Sequence, residues 1–225
     1  AAADTPAATA TAEAFLFNDT ATTETAIVTP SATPTQTPTP TEPPINPLAL
    51  YGNPTLYDPM DNDGNWAEQN GSLPNNEFLR LALGGGYIHV TGKQANFDTW
   101  WFTWPSAGNQ YLEMVVETED CSGKQAYGLI LRGPSQGNAA RGYILSFSCD
   151  GSYQLERLDS VSPYTTVELI PWTEAPQIND GDAVNTLGVE LLEDRISIFA
   201  NDFKIAEIED DKFSSGRFGL FVNAG

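Results

Sequence analysis

The chain has 225 residues, with 30 acidic against 10 basic side chains and a formal net charge of −20. No Lys or Arg precedes Arg80 and no basic cluster follows it, which excludes nucleic acid and argues against anionic membrane surfaces as partners; no apolar run is long enough to span a bilayer. An apolar fraction of 40%, with five Trp and eleven Phe, supports a core, and frequent Gly and Pro without long helical periodicity point to an all-β fold.

The chain begins with small residues, "AAADT", rather than Met. That fits a mature N-terminus left by signal-peptide cleavage, so an extracellular or cell-surface location is expected. Residues 1–28 form an N-terminal tail. Within it Glu13, Ala14, Phe15, Leu16, Phe17, Asn18 and Asp19 read as one extended strand. Phe15 and Phe17 fall on one face of it and Leu16 on the other. A lone apolar strand of this kind is a liability unless something pairs with it.

Residues 29–47 are a Thr/Pro-rich linker with polyproline II as the expected conformer. Thr33, Thr35, Thr37, Thr39 and Thr41 are candidates for O-glycosylation, and an unmodified solvated spacer is the alternative. Asn18 (NDT) and Asn70 (NGS) open N-glycosylation sequons.

The folded domain is expected over 48–225. Near its start, "YDPMDNDGNW" places Asp58, Asp61 and Asp63 before Gly64. Spaced carboxylates with a Gly turn suit Ca²⁺. The late Glu of an EF-hand is absent, and an ordinary acidic turn is the alternative. No other cofactor is expected.

Twelve short strands follow: Phe78–Leu83, Tyr87–Thr91, Thr99–Trp104, Tyr111–Glu119, Tyr127–Arg132, Gly142–Phe147, Tyr153–Leu158, Thr166–Ile170, Thr186–Leu192, Arg195–Ala200, Lys204–Ile208 and Arg217–Val222. The breaks carry turn chemistry: "GGG" at 84–86, "DG" at 150–151, "NDGD" at 179–182, "ND" at 201–202 and "SSG" at 214–216. Many short strands so punctuated predict a sandwich or barrel.

In "FDTWWFTWP", alternation sets Trp100, Phe102 and Trp104 on one face and Trp101 on the other. Three alternate aromatics on a sandwich strand predict core. The alternative is a sugar-stacking platform built from Trp100, Trp101 and Trp104. Cys121 and Cys149 are an even count in a chain expected to be exported, which favours a disulfide over two buried free thiols.

Catalysis has little support in the residues. His89 lies in a strand without an obvious partner. Glu117, Glu119 and Asp120 do not form the E-x-D-x-x-E arrangement of retaining glucanases, and no nucleophile, phosphate loop or zinc spacing appears. The expectation is that the chain is not an enzyme.

"YGLILRG…RGYILSFSCDGSYQLERL", "LIPWTEAPQIN" and "VNTLGVELLEDRISIFANDFKIAEIEDDKFSSGRFGLFV" resemble bacterial surface domains of the concanavalin A-like lectin/glucanase superfamily, laminin G-like jelly rolls often found behind a Thr/Pro linker. The resemblance covers about residues 55 to 225 and implies a two-sheet antiparallel jelly-roll sandwich. It also implies a disulfide between Cys121 and Cys149, tying the strand before "YGLILR" to the strand ending "FSC".

Such domains continue after "GRFGLFV" with one more strand, and "EAFLFNDT" has the look of it. The resemblance therefore implies an extracellular structural subunit that donates its N-terminal strand to the incomplete jelly roll of the next copy, head to tail, forming a filament. The alternative is a monomeric surface carbohydrate-binding module on a stalk, with glycans as partners.

Overall fold

A computed structural model of the chain describes residues 43–135 and 140–225. The expected donor strand, the linker to residue 42 and the glycosylation candidates other than Asn70 lie outside the described residues. The described residues belong to a compact unit that runs from Thr41 to Gly225. It takes in residues ahead of the expected boundary at 48, because the Ile45 amide donates to the Asp202 carbonyl.

A short helix, α1 (Pro47–Tyr51), precedes twelve strands. They are β1 (Leu79–Gly84), β2 (Tyr87–Gly92), β3 (Asp98–Ala107), β4 (Gln110–Glu117), β5 (Ala126–Gly133), β6 (Gly142–Ser148), β7 (Ser152–Val161), β8 (Tyr164–Glu174), β9 (Val184–Leu192), β10 (Arg195–Ala200), β11 (Phe203–Glu209) and β12 (Gly216–Asn223). Each expected strand is present. The main differences are that β3 and β8 run on through Pro105 and Pro171. Both are edge strands, where a missing N–H need not cost a ladder bond.

The strands form a six-stranded antiparallel sheet, β3-β12-β5-β6-β7-β8, and a four-stranded one, β11-β10-β9-β4, with β1 and β2 pairing separately. This is the expected all-β jelly-roll sandwich. The meander β9-β10-β11 closes as its sequence foretold: Asn201 and Asp202 both have positive φ, as a two-residue hairpin turn of the primed type requires.

The core lies between the two larger sheets. Rows of paired residues run across the six-stranded sheet on its inner face: Tyr127, Phe147 and Tyr153 in one, and Leu129, Leu145, Leu155 and Ile170 in the next. They meet Leu187, Val189 and Leu191 of β9 and Ile196 and Ile198 of β10. Two hydrogen bonds fix the stacking order of the sheets. Asn185 of β9 donates to the Tyr127 hydroxyl of β5, and Tyr153 of β7 donates to the Ile205 carbonyl of β11.

The aromatic run on β3 departs from expectation. Trp100 and Phe102 pack on the outer face of the six-stranded sheet, against a second cluster containing Ile130, Ile144 and Phe221. Trp104 is 46% exposed. The face of β3 that carries Trp100 and Phe102 is the outer one, and beyond Phe102 the pairing with β12 becomes irregular. Phe102 pairs with Gly219 but Ser106 pairs with Arg217, so the five residues 102–106 of β3 oppose the three residues 217–219 of β12. Beyond that irregularity Trp104 turns to the surface, where its indole donates to the Ala67 carbonyl and Arg217 lies against its ring. Trp101 likewise donates to the Trp66 carbonyl.

Candidate functional site

The inner face of the six-stranded sheet is core; its outer face carries a groove. Cross-strand rows show why. One row reads Asp98, Asn223, Ala126, Ser148; the next reads Trp100, Phe221, Gly128, Ser146, Gln154; the third ends in Ile144, Glu156 and Glu168. The middle of the first two rows is made of small side chains, and the flanks are tall. At Gly128 any Cβ would run into the Leu145 carbonyl, so nothing larger than glycine fits that backbone. The result is a trough of about 570 Å³ lined by Asp98, Lys124, Ser146, Gln154, Glu156 and Trp172, among others.

The sheet is also curved across this face. Asp98 lies on β3 and Tyr164 on β8, the two opposite edges, yet the Tyr164 hydroxyl donates to Asp98 Oδ2 at 3.2 Å. Asn223 donates to Asp98 Oδ1 at 2.7 Å. Asp98 is therefore fixed at one side of the trough. Glu156, on β7, has its pKa raised by burial first and then by the Asp98 and Glu168 carboxylates. It keeps a proton to higher pH than an ordinary glutamate, and in that form it is both a donor and an acceptor.

The opposite wall is built by the disulfide. Cys121 and Cys149 are bonded, with Cα atoms 5.4 Å apart and 28 residues of separation. The expected placement needs correction: neither cysteine sits in a strand. Cys121 lies in the loop between β4 and β5, and Cys149 in the turn after β6. The bridge pins that loop to the turn. Lys124 then reaches Asp150 at 2.7 Å and Ser152 Oγ at 2.6 Å, and lies 4.7 Å from the centre of the Trp172 ring. Trp172 is 36% exposed. It sits in a bulge of β8, where residues 170–173 oppose 153–155.

Burial works against the Asp150 carboxylate, but hydrogen bonds from Lys124, Ser148 and Ser152 outweigh it and hold its pKa well below the usual range. The sign of the pH effect follows. A carboxyl more acidic folded than unfolded contributes stability above the unfolded value of about 4, and that contribution is lost as pH falls through the lower folded value. Asp150→Asn should lower the melting temperature at pH 7 and flatten its decline below about pH 4. Thermal melts of both proteins across that range check it. Parallel acid limbs would contradict it.

The acidic turn does not converge on one point. Asp58 accepts from the Met60 amide, Asn65 and the Trp66 indole, and so caps its own turn. Asp61 accepts from Asn62. Among the described residues no group of three His, Cys, Asp or Glu side chains is arranged to hold a metal ion. Asn70 is exposed and its side chain closes a local turn, donating to Glu68 and accepting from Ser72. None of the three tryptophans of the proposed sugar platform lines the trough; Trp100 lies on the same outer face, in the row of Phe221, Gly128 and Ser146. The aromatic in the trough wall that sequence reasoning missed is Trp172. It lies in "IPWTE", just past the expected strand Thr166–Ile170, which β8 extends through Pro171 to Glu174.

No protein-family model matches the chain, and no curated protein does. Solved structures of similar fold include the carbohydrate-binding module CBM66 from Bacillus subtilis, 19% identical over 60% of this chain and 79% of that one, with a TM-score of 0.49. They also include the β-glucanase of Bacillus licheniformis, 11% identical over 76% and 85%, TM-score 0.44. A third is the κ-carrageenase from Pseudoalteromonas carrageenovora, 10% identical over 56% of this chain and 55% of that one, TM-score 0.39. These are concanavalin A-like jelly rolls, the fold implied by the sequence resemblance. Further glycoside hydrolases are among the matches. That corrects the expectation of a non-enzyme, since the fold is shared by hydrolases and binding modules and does not separate them.

No helix among the described residues is long and apolar enough to cross a membrane. The disulfide fits an extracellular protein.

Proposed function

We propose that the domain binds glycans in the trough on the outer face of the six-stranded sheet. The observation that carries this reading is the trough itself. It has a floor of small residues, an indole in one wall and hydrogen-bonding side chains from Asp98, Gln154 and Glu156. A sugar ring presents apolar C–H faces and a rim of hydroxyls. An indole suits the first and carboxyl and amide groups the second. Lys124 holds the Trp172 ring in place, so little side-chain freedom is lost on binding.

Trp172→Ala should weaken binding by about tenfold or more, a loss of at least about 1.4 kcal/mol. A glycan array with the full chain identifies the ligand, and titration calorimetry of the variant measures the loss. Undiminished binding by the variant would move the site elsewhere. Glu156, with its raised pKa, and the nearby Asp98 supply the two carboxyl groups that glycoside cleavage needs. Product analysis of the bound glycan after incubation therefore separates binding from turnover. The assembly reading rests on a different part of the molecule, the outer edge of β4.

A further inference from the structure

The two sheets of the sandwich have four edge strands: β3 and β8 in one, β4 and β11 in the other. Exposed edges invite pairing with other chains, and proteins blunt them with Pro, Lys or bulges. Three of the four are blunted in this way. β3 carries Pro105 and a register break, β8 carries Pro171 and several breaks, and β11 carries Lys204 and a break against β10. β4 has none of these devices. It is eight residues long, free of Pro and Lys, and pairs with β9 without a register break. Among the described residues no strand pairs with its outer side.

Its side chains are those of a strand with more to cover. Leu112, Met114 and Val116 face the core but are only partly buried, whereas their β9 neighbours Val189 and Leu187 are wholly buried. On the other face Val115 is 62% exposed, between exposed Glu113 and Glu117.

We propose that this edge receives residues Glu13–Thr20 of a second copy of the chain as an added strand. The occupant is chosen by pattern and charge. With Leu16 opposite Val115, the donor's outer face presents Ala14, Leu16 and Asn18, so no carboxylate meets Glu113 or Glu117. Phe15 and Phe17 then fall on the core side, beside the half-covered Leu112, Met114 and Val116. In the antiparallel sense Phe17 falls opposite Met114 and Phe15 opposite Val116, while Asp19 comes opposite Leu112 and Glu13 opposite Thr118, past the end of β4.

The linker selects the copy. The chain enters the domain at Ile45, bonded to the Asp202 carbonyl. Neighbouring Asn201 donates to the Thr186 carbonyl, and Thr186 pairs with Val115 of β4. A chain donating to its own β4 would have to return almost to its starting point. In the polyproline II form expected of their Thr/Pro sequence, the sixteen residues 29–44 would reach about 50 Å, and the nine residues 20–28 could span about 30 Å at most. A stiff linker of this length therefore carries the strand to a neighbour, and the head-to-tail contact repeats as an open chain of subunits. This inference is independent of the glycan reading.

The test uses the full chain. Light scattering should give the native protein a mass above the 24.3 kDa of one copy, and Phe15→Asp with Phe17→Asp should return it to one copy with an unchanged circular dichroism spectrum. Leu16→Cys with Val115→Cys should yield a ladder of multiples on a non-reducing gel, and adding the two Phe→Asp changes should abolish the ladder. A single-copy mass for the native chain overturns the proposal. So does a crosslink formed within one chain, or a larger mass that survives the Phe→Asp changes.

Discussion

Phe147→Ala should destabilise the domain by about 3–5 kcal/mol and lower its melting temperature by roughly 10 °C. Phe147 is fully buried on the inner face of the six-stranded sheet, stacked on Tyr127 and paired with Tyr153. Both neighbouring strands hold the site open, because their ladders fix the backbone on either side. The cavity left by truncation cannot collapse, so its cost adds to the lost transfer energy. The contrasting variant is Trp104→Ala. It removes a larger side chain but one that is 46% exposed, so its cost should be about 1 kcal/mol, mostly the indole hydrogen bond to Ala67. Urea unfolding of the two variants separates them. Equal losses would mean that the aromatic run of β3 is core after all.

Removing the disulfide should cost a similar amount by a different route. The bridge closes a loop of 28 residues, and releasing it frees the unfolded chain by about 3–4 kcal/mol. Cys121→Ser with Cys149→Ser should therefore melt roughly 10 °C lower. It should also weaken glycan binding, because Lys124 reaches Asp150 and Trp172 only while its loop is pinned to the 149–151 turn. Calorimetry reports both effects on one sample. A variant that melts lower but binds as before would leave the bridge with stability alone and remove it from the trough wall.

The candidate site was legible only in fragments. The small residues Gly128 and Ser146 were visible as letters in "YGLILRG" and "YILSFS", but nothing local says that they share a row. That follows from the β5–β6 and β6–β7 registers. Asp98 and Tyr164 are far apart in sequence and sit on opposite edges of a sheet; only its curvature joins them. Trp172 lies just past the expected strand Thr166–Ile170. A Pro ends most strands, but β8 is an edge strand with a bulge, and there the missing N–H is tolerated.

Sequence alone determined the strands, because alternation and turn residues act within a few residues of each other. It determined the meander at residues 184–209, whose "ND" turn needs left-handed backbone, and its even cysteine count together with the family resemblance pointed to the Cys121–Cys149 pair. Tertiary structure decided the rest. It put Trp100 and Phe102 outside the main core, because strand order gives their face of β3 to the outer side of the six-stranded sheet, and it left Trp104 exposed beyond the register break against β12. It placed the cysteines in loops and thereby set Lys124 against Trp172. It left β4 as the one edge of the sandwich without a Pro, a Lys or a register break. Alternation says which side chains share a face; strand order and register decide what that face meets.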